Sequence, residues 1–550
     1  MTSNPVRRQA SARLQTCARP RERGTIVKKW TNRAPVCVVY PNTYYVGMSN
    51  LAVHLLYQTI NSRPEMVCER VFLDGPGKPL SVESARPLGA FEIVFFTLSF
   101  EMDYPNVVAM LESSSIPLAA ADRGEDGPIV VAGGICAMAN PEPLSSFFDL
   151  FILGDVESCL PPFIERYLRI RGKRRTEAIK ELASFEWVYE PTRLAVAYRE
   201  DGSVDGFTPP GFRVKVERHR GKCLAASSIT SSDTEFADML LVEGARGCPS
   251  ACAFCLAGNI YPFIADRLDH IGGGVKDVGI IGGGVSFHPR LAETVSRLGS
   301  MGYNVHLPSL RLDEVPLEVI EMIAGTIKTL TFGIEAGTEA LRRRIGKPLT
   351  DRDISERIEA IAEMKSFHFK FYFMVGLPGE RREDVDAIVD LVKHILHILI
   401  KKASKKGRIG AVTVHGSPFV PKAATPFQWA AMEETKELKE RVSILKRGLG
   451  KVPNTTFTHE SVKHSFLQAV FARGDRRLNQ TIAALARGES LSRIMRESPV
   501  NLNFYATRER RADEIFPWDF ITGRTDKKTL RRRFCLLNMD SGSPITGENP

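Results

Sequence analysis

Three cysteines stand on one short stretch, Gly247-Cys248-Pro249-Ser250-Ala251-Cys252-Ala253-Phe254-Cys255, in the spacing Cys-x3-Cys-x2-Cys. Ten cysteines scattered at random through 550 positions would produce that spacing with a probability of roughly one in 400, so the pattern is specific without being decisive. Three thiolates from one loop can bind three irons of a cubane cluster and leave the fourth iron open to a substrate or cofactor. The rival chemistry is a structural zinc site of three cysteines and a histidine. His270 follows Cys255 at fifteen residues and has no paired ligand, so the zinc pattern is the poorer match.

The other seven cysteines (Cys17, Cys37, Cys68, Cys136, Cys159, Cys223 and Cys535) occur singly, with no disulfide framework. This usage suits a reducing compartment and a cytoplasmic protein. The apolar stretch Val385–Ile400 carries Asp386, Asp390, Lys393, His394 and His397, and so reads as an amphipathic helix and not a membrane span.

The cysteine loop must be held by the elements around it. Met239-Leu240-Leu241-Val242 is a short apolar run leading into the loop, and similar runs recur at 278–281, 304–307, 329–334, 370–375 and 411–414. At about 30 residues per βα unit, 239–413 accommodates six units, fewer than an eightfold barrel needs. A partial (β/α)6 barrel is expected, with its site at the C-terminal ends of the strands.

The stretch resembles the radical S-adenosylmethionine (SAM) superfamily. The resemblance rests on the cysteines with Phe254 between the second and third, Gly282-Gly283-Gly284, Ser309-Leu310-Arg311-Leu312-Asp313, Gly333-Ile334-Glu335-Ala336-Gly337 and Gly376-Leu377-Pro378-Gly379-Glu380. Pro418-Phe419-Val420-Pro421-Lys422, Thr425-Pro426-Phe427-Gln428-Trp429, Arg473-Gly474-Asp475-Arg476-Arg477 and Pro517-Trp518-Asp519 extend it toward the C-terminus.

The resemblance implies that Cys248, Cys252 and Cys255 are catalytic metal ligands of a [4Fe-4S] cluster. The cluster would reductively cleave S-adenosyl-L-methionine to a 5′-deoxyadenosyl radical, with electrons from a donor such as a flavodoxin or ferredoxin. It places Phe254, Gly282, Gly283, Gly284, Arg311, Glu335, Gly376, Leu377 and Pro378 around S-adenosylmethionine. Glycines leave room for backbone contact with the methionyl group. Glu335 is suited to ribose hydroxyls or the methionyl ammonium, and Leu377 and Pro378 to the adenine. Arg311 and Asp313 can instead form an internal ion pair. Val285 and Ser286 stand where many relatives place an acid.

Ahead of the barrel, short apolar runs alternate with helical patterns from Val36 to Arg171, which reads as an open, doubly wound parallel sheet with its binding loops at the strands' C-terminal edge. Gly133-Gly134, Asn140-Pro141-Glu142-Pro143 and Gly154-Asp155 resemble the cobalamin-binding-like domain of one uncharacterised branch of the same superfamily. The cobalt-ligating Asp-x-His-x-x-Gly motif is missing, and the region's single histidine, His54, falls in an apolar helical pattern. Cobalamin binding without a protein imidazole and a domain that has lost the cofactor both stay open.

The chain thus divides into a basic disordered tail (1–33), the cobalamin-binding-like α/β domain (34–171), a linker (172–236), the radical SAM barrel (237–429) and a helical C-terminal region with a basic tail (430–550). Its 74 Lys and Arg exceed its 64 Asp and Glu, a formal net charge of +10. Nine of these cations lie in 1–33 and six in 524–533, so an RNA partner would have to be bound by the ends. Arg473, Arg476 and Arg477 suggest a phosphate or carboxylate site or a solvated loop.

The expected activity is radical SAM chemistry on an unknown substrate, with methyl transfer to an unreactive carbon favoured by the N-terminal domain. Methylthiolation of tRNA or protein is the alternative, although the N-terminal domain offers no second cysteine trio. A noncatalytic iron-sulfur or RNA-binding protein is a third reading.

Overall fold

A computed structural model describes residues 20–539 except 76, 222–223, 251, 266–267, 269–274 and 404–408. His270, on which the zinc reading rests, and most of the basic N-terminal tail lie outside the described residues, as do Cys17 and Cys223.

The first sheet comprises β1 (Ala34–Val39), β2 (Met66–Val71), β3 (Ile93–Thr97), β4 (Ile129–Gly133), β5 (Leu150–Ile152) and β6 (Val188–Tyr189), in the spatial order β2-β1-β3-β4-β5-β6. All pairings are parallel except that of β6, which runs antiparallel at the edge. Alternate residues feed two cores. Val36, Val38, Phe95 and Val131 pack beneath α1 (Leu51–Asn61) and α3 (Val156–Ile170), while Cys37, Val39, Phe96 and Ala132 pack on the side of α2 (Tyr104–Ser113). Burial on both faces explains why these strands read as continuous apolar runs.

Residues 20–33, expected to continue a disordered tail, are packed against this sheet. Glu22 pairs with the buried Arg70 at 2.7 Å, the Lys28 ammonium donates to the carbonyls of Asn61, Arg63 and Met66, and the Trp30 indole donates to Glu69. A charge count alone does not register that Lys28 and Arg33 are tied to backbone carbonyls.

The second curved sheet holds the expected six strands, β7 (Met239–Glu243), β8 (Asp277–Ile281), β9 (Asn304–His306), β10 (Thr329–Glu335), β11 (His368–Val375) and β12 (Val412–Pro418). A seventh, β13 (Thr455–His459), joins from the C-terminal region. Every pairing is parallel, and a bridge between Leu310 and Phe332 links the two halves. Helices α4 (Leu291–Ser300), α5 (Leu317–Ile323), α6 (Asp351–Met364), α7 (Arg382–Ala403) and α8 (Thr435–Leu449) form the outer layer. Further helices follow β13, ending in α9 (Lys527–Met539). Among the described residues no helix is long and apolar enough to cross a membrane.

Candidate active site

The cysteine loop leaves the C-terminal end of β7, where strand burial gives way to polar backbone that needs partners. Those partners come from four directions. The Ala253 amide donates to the Ile345 carbonyl at 3.0 Å, and the Ala253 carbonyl accepts from the Phe427 amide at 3.3 Å. Asn259 donates its amide to the carbonyls of Cys252 (3.1 Å) and Cys255 (2.7 Å). The Arg311 guanidinium donates to Ser250 Oγ, which lies 3.3 Å from Cys252 Sγ.

Cys248, Cys252 and Cys255 are all half-buried, and burial pushes the Cys255 thiol up. Phe254 packs partly buried against the main core. No three His, Cys, Asp or Glu side chains among the described residues converge as one metal ion requires. The donor set is therefore three thiols on one loop, suited to a cluster whose ligands are spread over several metals.

The glycines that follow β8 have separate duties. Gly282 has φ +139°, and a Cβ there would lie 2.0 Å from the Ala245 carbonyl oxygen. A Cβ on Gly284 would meet the Gly247 carbonyl oxygen and the Phe263 ring. Gly283 alone has space, its nearest neighbour being Ala257 Cβ at 3.7 Å. Two of the three glycines thus serve close packing on the cysteine loop, and the middle one leaves open surface. Ser286, in the position where relatives carry an acid, accepts a hydrogen bond from the Arg311 amide.

Arg311 and Asp313 do form an ion pair, at 2.8 Å, and the same guanidinium also ties the third strand's loop to Ser250. Glu335 adopts a left-handed backbone at φ +74° and pairs with Lys347 at 2.8 Å. The Gly376 turn is held by its amide donating to Glu380, whose carboxyl burial pushes up to about 8. Leu377, expected against the adenine, is buried in the core and only 3% exposed; Pro378 is the partly exposed member of that turn.

A cavity of about 410 Å³ opens between the two sheets. One wall is the C-terminal edge of the first sheet, with Thr97, Gly133, Gly134 and Gly154. The other is the run Ala245–Gly247 with Gly282 and Gly283. The Thr97 hydroxyl is buried and makes no hydrogen bond. Arg246 spans the two walls, pairing with Glu243 and Glu157 at 2.7 Å and with Asp155 at 3.5 Å. Burial opposes its charge, and the carboxylates outweigh that and keep it protonated. His54 is not at the cavity mouth: it is buried within α1, its Nε2 bonded to the Met48 carbonyl at 3.0 Å.

The remaining basic clusters are spent internally. Arg473 is fully buried and donates to the carbonyls of Gln428, Ala430 and Ala506. Arg476 pairs with Glu142, and Arg477 with Asp475. None is available as the anion site or solvated loop expected from the charge pattern. In 524–533, Arg524 donates to the carbonyls of Met138 and Ala139, Lys527 pairs with Asp519 and Arg533 donates to Asn259, which leaves Lys528 and Arg532 exposed.

Ser250, Asn259, Lys347 and Arg246 are the site residues missed from sequence. Ser250 sits inside the cysteine motif and Arg246 two residues before Cys248. Asn259 and Lys347 carry no signal beyond lying shortly after Cys255 and Glu335.

The family model described as the radical SAM superfamily matches residues 242–392, and that described as the N-terminal part of radical SAM proteins matches 52–191. An uncharacterized protein of Methanocaldococcus jannaschii is 27% identical over 457 residues, covering 81% of this chain and 90% of that protein. An uncharacterized methyltransferase of Pyrococcus horikoshii is 25% identical over 221 residues, covering 37% of this chain and 47% of its own. The ribosomal protein uS12 methylthiotransferase RimO of Caldanaerobacter subterraneus subsp. tengcongensis is 24% identical over 171 residues, covering 27% and 39%. Among solved structures, the cobalamin-dependent S-adenosylmethionine radical enzyme OxsB with aqua-cobalamin bound aligns at a TM-score of 0.43 and 12% identity. That alignment covers 66% of this chain and 52% of OxsB.

Proposed function

Because the chain belongs to the radical SAM superfamily, an enzyme superfamily, we propose that Cys248, Cys252 and Cys255 hold a [4Fe-4S] cluster whose open iron receives S-adenosylmethionine. When bound, the cluster supplies the electron that cleaves the sulfonium to methionine and a 5′-deoxyadenosyl radical. The observation that carries this reading is the loop itself: three half-buried thiols on one turn, with its backbone pinned at Ala253 and beneath Cys252 and Cys255. Pinned ligands lose little freedom on binding metal, which favours a preformed site.

Around that loop each residue has a task. Gly283 presents open backbone to the methionyl group, and Gly282 and Gly284 keep the turn close to the cysteines. Glu335, held by Lys347, orients the ribose or the methionyl ammonium. Arg311 fixes Ser250 beside Cys252. Pro378 borders the adenine. A reductant of the flavodoxin or ferredoxin kind would deliver the electron.

For the reaction outcome we favour methyl transfer to an unreactive carbon. The cavity between the sheets supports it, because it joins the binding edge of the first sheet to the cysteine loop. Its glycines and the bare Thr97 hydroxyl suit a large ligand such as a cobalamin held without a protein imidazole, since His54 is engaged elsewhere. Methylthiolation is the weaker reading: a second cluster would need a trio of thiols on one loop, and Cys37, Cys68, Cys136 and Cys159 stand singly in the N-terminal domain.

The test is anaerobic reconstitution with iron and sulfide, followed by reduction in the presence of S-adenosylmethionine. We expect about four irons per chain and 5′-deoxyadenosine from the wild type, and neither from Cys252→Ala. Absence of both from wild-type protein would refute the assignment. Corrinoid absorbance retained after gel filtration would support the methyl-transfer reading.

A further inference from the structure

The interior of a complete β/α barrel is filled by layers of bulky branched side chains. Here the inner face of the second sheet is polar. On β11 the residues Phe369, Phe371, Phe373 and Val375 are buried in the core shared with the outer helices, so Lys370, Tyr372 and Met374 project from the opposite, helix-free face. The same alternation puts Thr331 and Gly333 of β10 and Thr413 and His415 of β12 on that face. Register then sets them in rows, Thr331 beside Lys370 beside Thr413, and Gly333 beside Tyr372 beside His415 beside Thr458.

Charges along these rows are matched, with one exception. Glu335 has Lys347; His415 has Thr458 at 2.8 Å through Nδ1 and Glu460 at 3.4 Å through Nε2. Lys370 makes no ion pair or hydrogen bond among the described residues, and its ammonium lies 4.9 Å from the centroid of the Tyr372 ring. Other buried or half-buried lysines have partners: Lys347 and Lys422 pair with Glu335 and Glu101, and Lys28 and Lys365 donate to backbone carbonyls. An ammonium kept half-buried beside an aromatic face, with threonines on both neighbouring strands, has the composition of an oxyanion site. Gly333 connects it to the cofactor side: the missing Cβ leaves room for the Glu335–Lys347 pair to lie in the same row as Tyr372.

We propose that Lys370, flanked by Tyr372 and His415, anchors a carboxylate or phosphate group of the substrate on the inner face of the barrel. The inference rests on the radical SAM reading above and adds the substrate's chemical class. Two residues along a strand span about 7 Å, so a substrate anchored there extends along the row toward Glu335 and the S-adenosylmethionine it would orient.

The experiment uses the reconstituted full-length protein and two probes, inorganic phosphate and succinate, each titrated at constant ionic strength while the melting temperature is followed. The wild type should show a saturable rise with one probe, and the one that acts identifies phosphate or carboxylate. Lys370→Met should need at least tenfold more of it, whereas Lys370→Arg should respond within threefold of wild type. Either no response from the wild type, or an equal response from Lys370→Met, overturns the proposal. Basal formation of 5′-deoxyadenosine without substrate is measured in parallel in the wild type. If the wild type itself forms none, the radical SAM reading fails, and the titrations still decide the anion site.

Discussion

Arg533, on α9, donates to Asn259 Oδ1 at 2.7 Å, and Asn259 in turn donates to the carbonyls of Cys252 and Cys255. The C-terminal helix therefore supports the loop that carries the cysteines, across 274 residues of sequence.

Asn259 is buried, so removing its amide takes a donor from two loop carbonyls, of which Cys252's keeps the Cys255 amide at 3.1 Å. Asn259→Ala should cost about 1–3 kcal/mol and speed iron loss to a chelator severalfold. Arg533→Ala, which leaves the bonds from Asn259 to the loop in place, should fall between this variant and wild type. Chelator-challenge kinetics followed by visible absorbance check both.

Gly282 and Gly283 should separate packing from ligand contact. Gly282→Ala forces a Cβ against the Ala245 carbonyl in a backbone that disfavours side chains, and should destabilise by about 3 kcal/mol or more. Gly283→Ala makes only ordinary contact and should melt like wild type while binding S-adenosylmethionine more weakly. Thermal unfolding and equilibrium dialysis distinguish the two.

Arg246 pairs with Glu243, Glu157 and Asp155, all four side chains are largely buried, and Arg218 is a second cation near Asp155 alone. Arg246→Met should cost roughly 3–5 kcal/mol, since it strands carboxylates without a counterion. The accompanying Glu157→Gln change should recover part of the loss. Urea unfolding of the single and double variants measures the coupling.

Burial pushes the His54 imidazole down to about 4. The unfolded chain binds a proton near pH 6.5 and the folded chain does not until about pH 4, so stability falls as pH drops through that window. The loss should reach roughly 3 kcal/mol. His54→Gln, which retains a donor for the Met48 carbonyl, should flatten the slope of melting temperature against pH between 4 and 6.5.

Most strands of the two sheets were legible because their periodicity is local, although Met66–Val71 went unmarked and Val188–Tyr189 fell in the stretch read as a linker. Buried runs such as Val36–Val39 and alternating runs such as Phe369–Val375 carry the signal in adjacent residues. The seventh strand was not: Thr455–His459 is short, polar and half-exposed, and only its pairing with β12 makes it a strand. Leu377 was misplaced for a related reason, since a turn motif fixes the backbone without fixing which side chain points inward.

By itself the sequence determined the chemistry-bearing loop, because Cys248, Cys252 and Cys255 are close along the chain and their spacing fixes what one turn can ligate. Tertiary structure alone decided what supports and surrounds that loop. Ser250 with Arg311, Cys255 with Asn259 and Arg533, and Arg246 with Glu157 are contacts between distant segments, set by how sheets and helices pack. The same physics decided the fate of the basic residues: a charge count cannot tell a solvated guanidinium from one buried against carbonyls, as Arg473 and Arg524 are, and it cannot single out Lys370, which has no ion pair among the described residues.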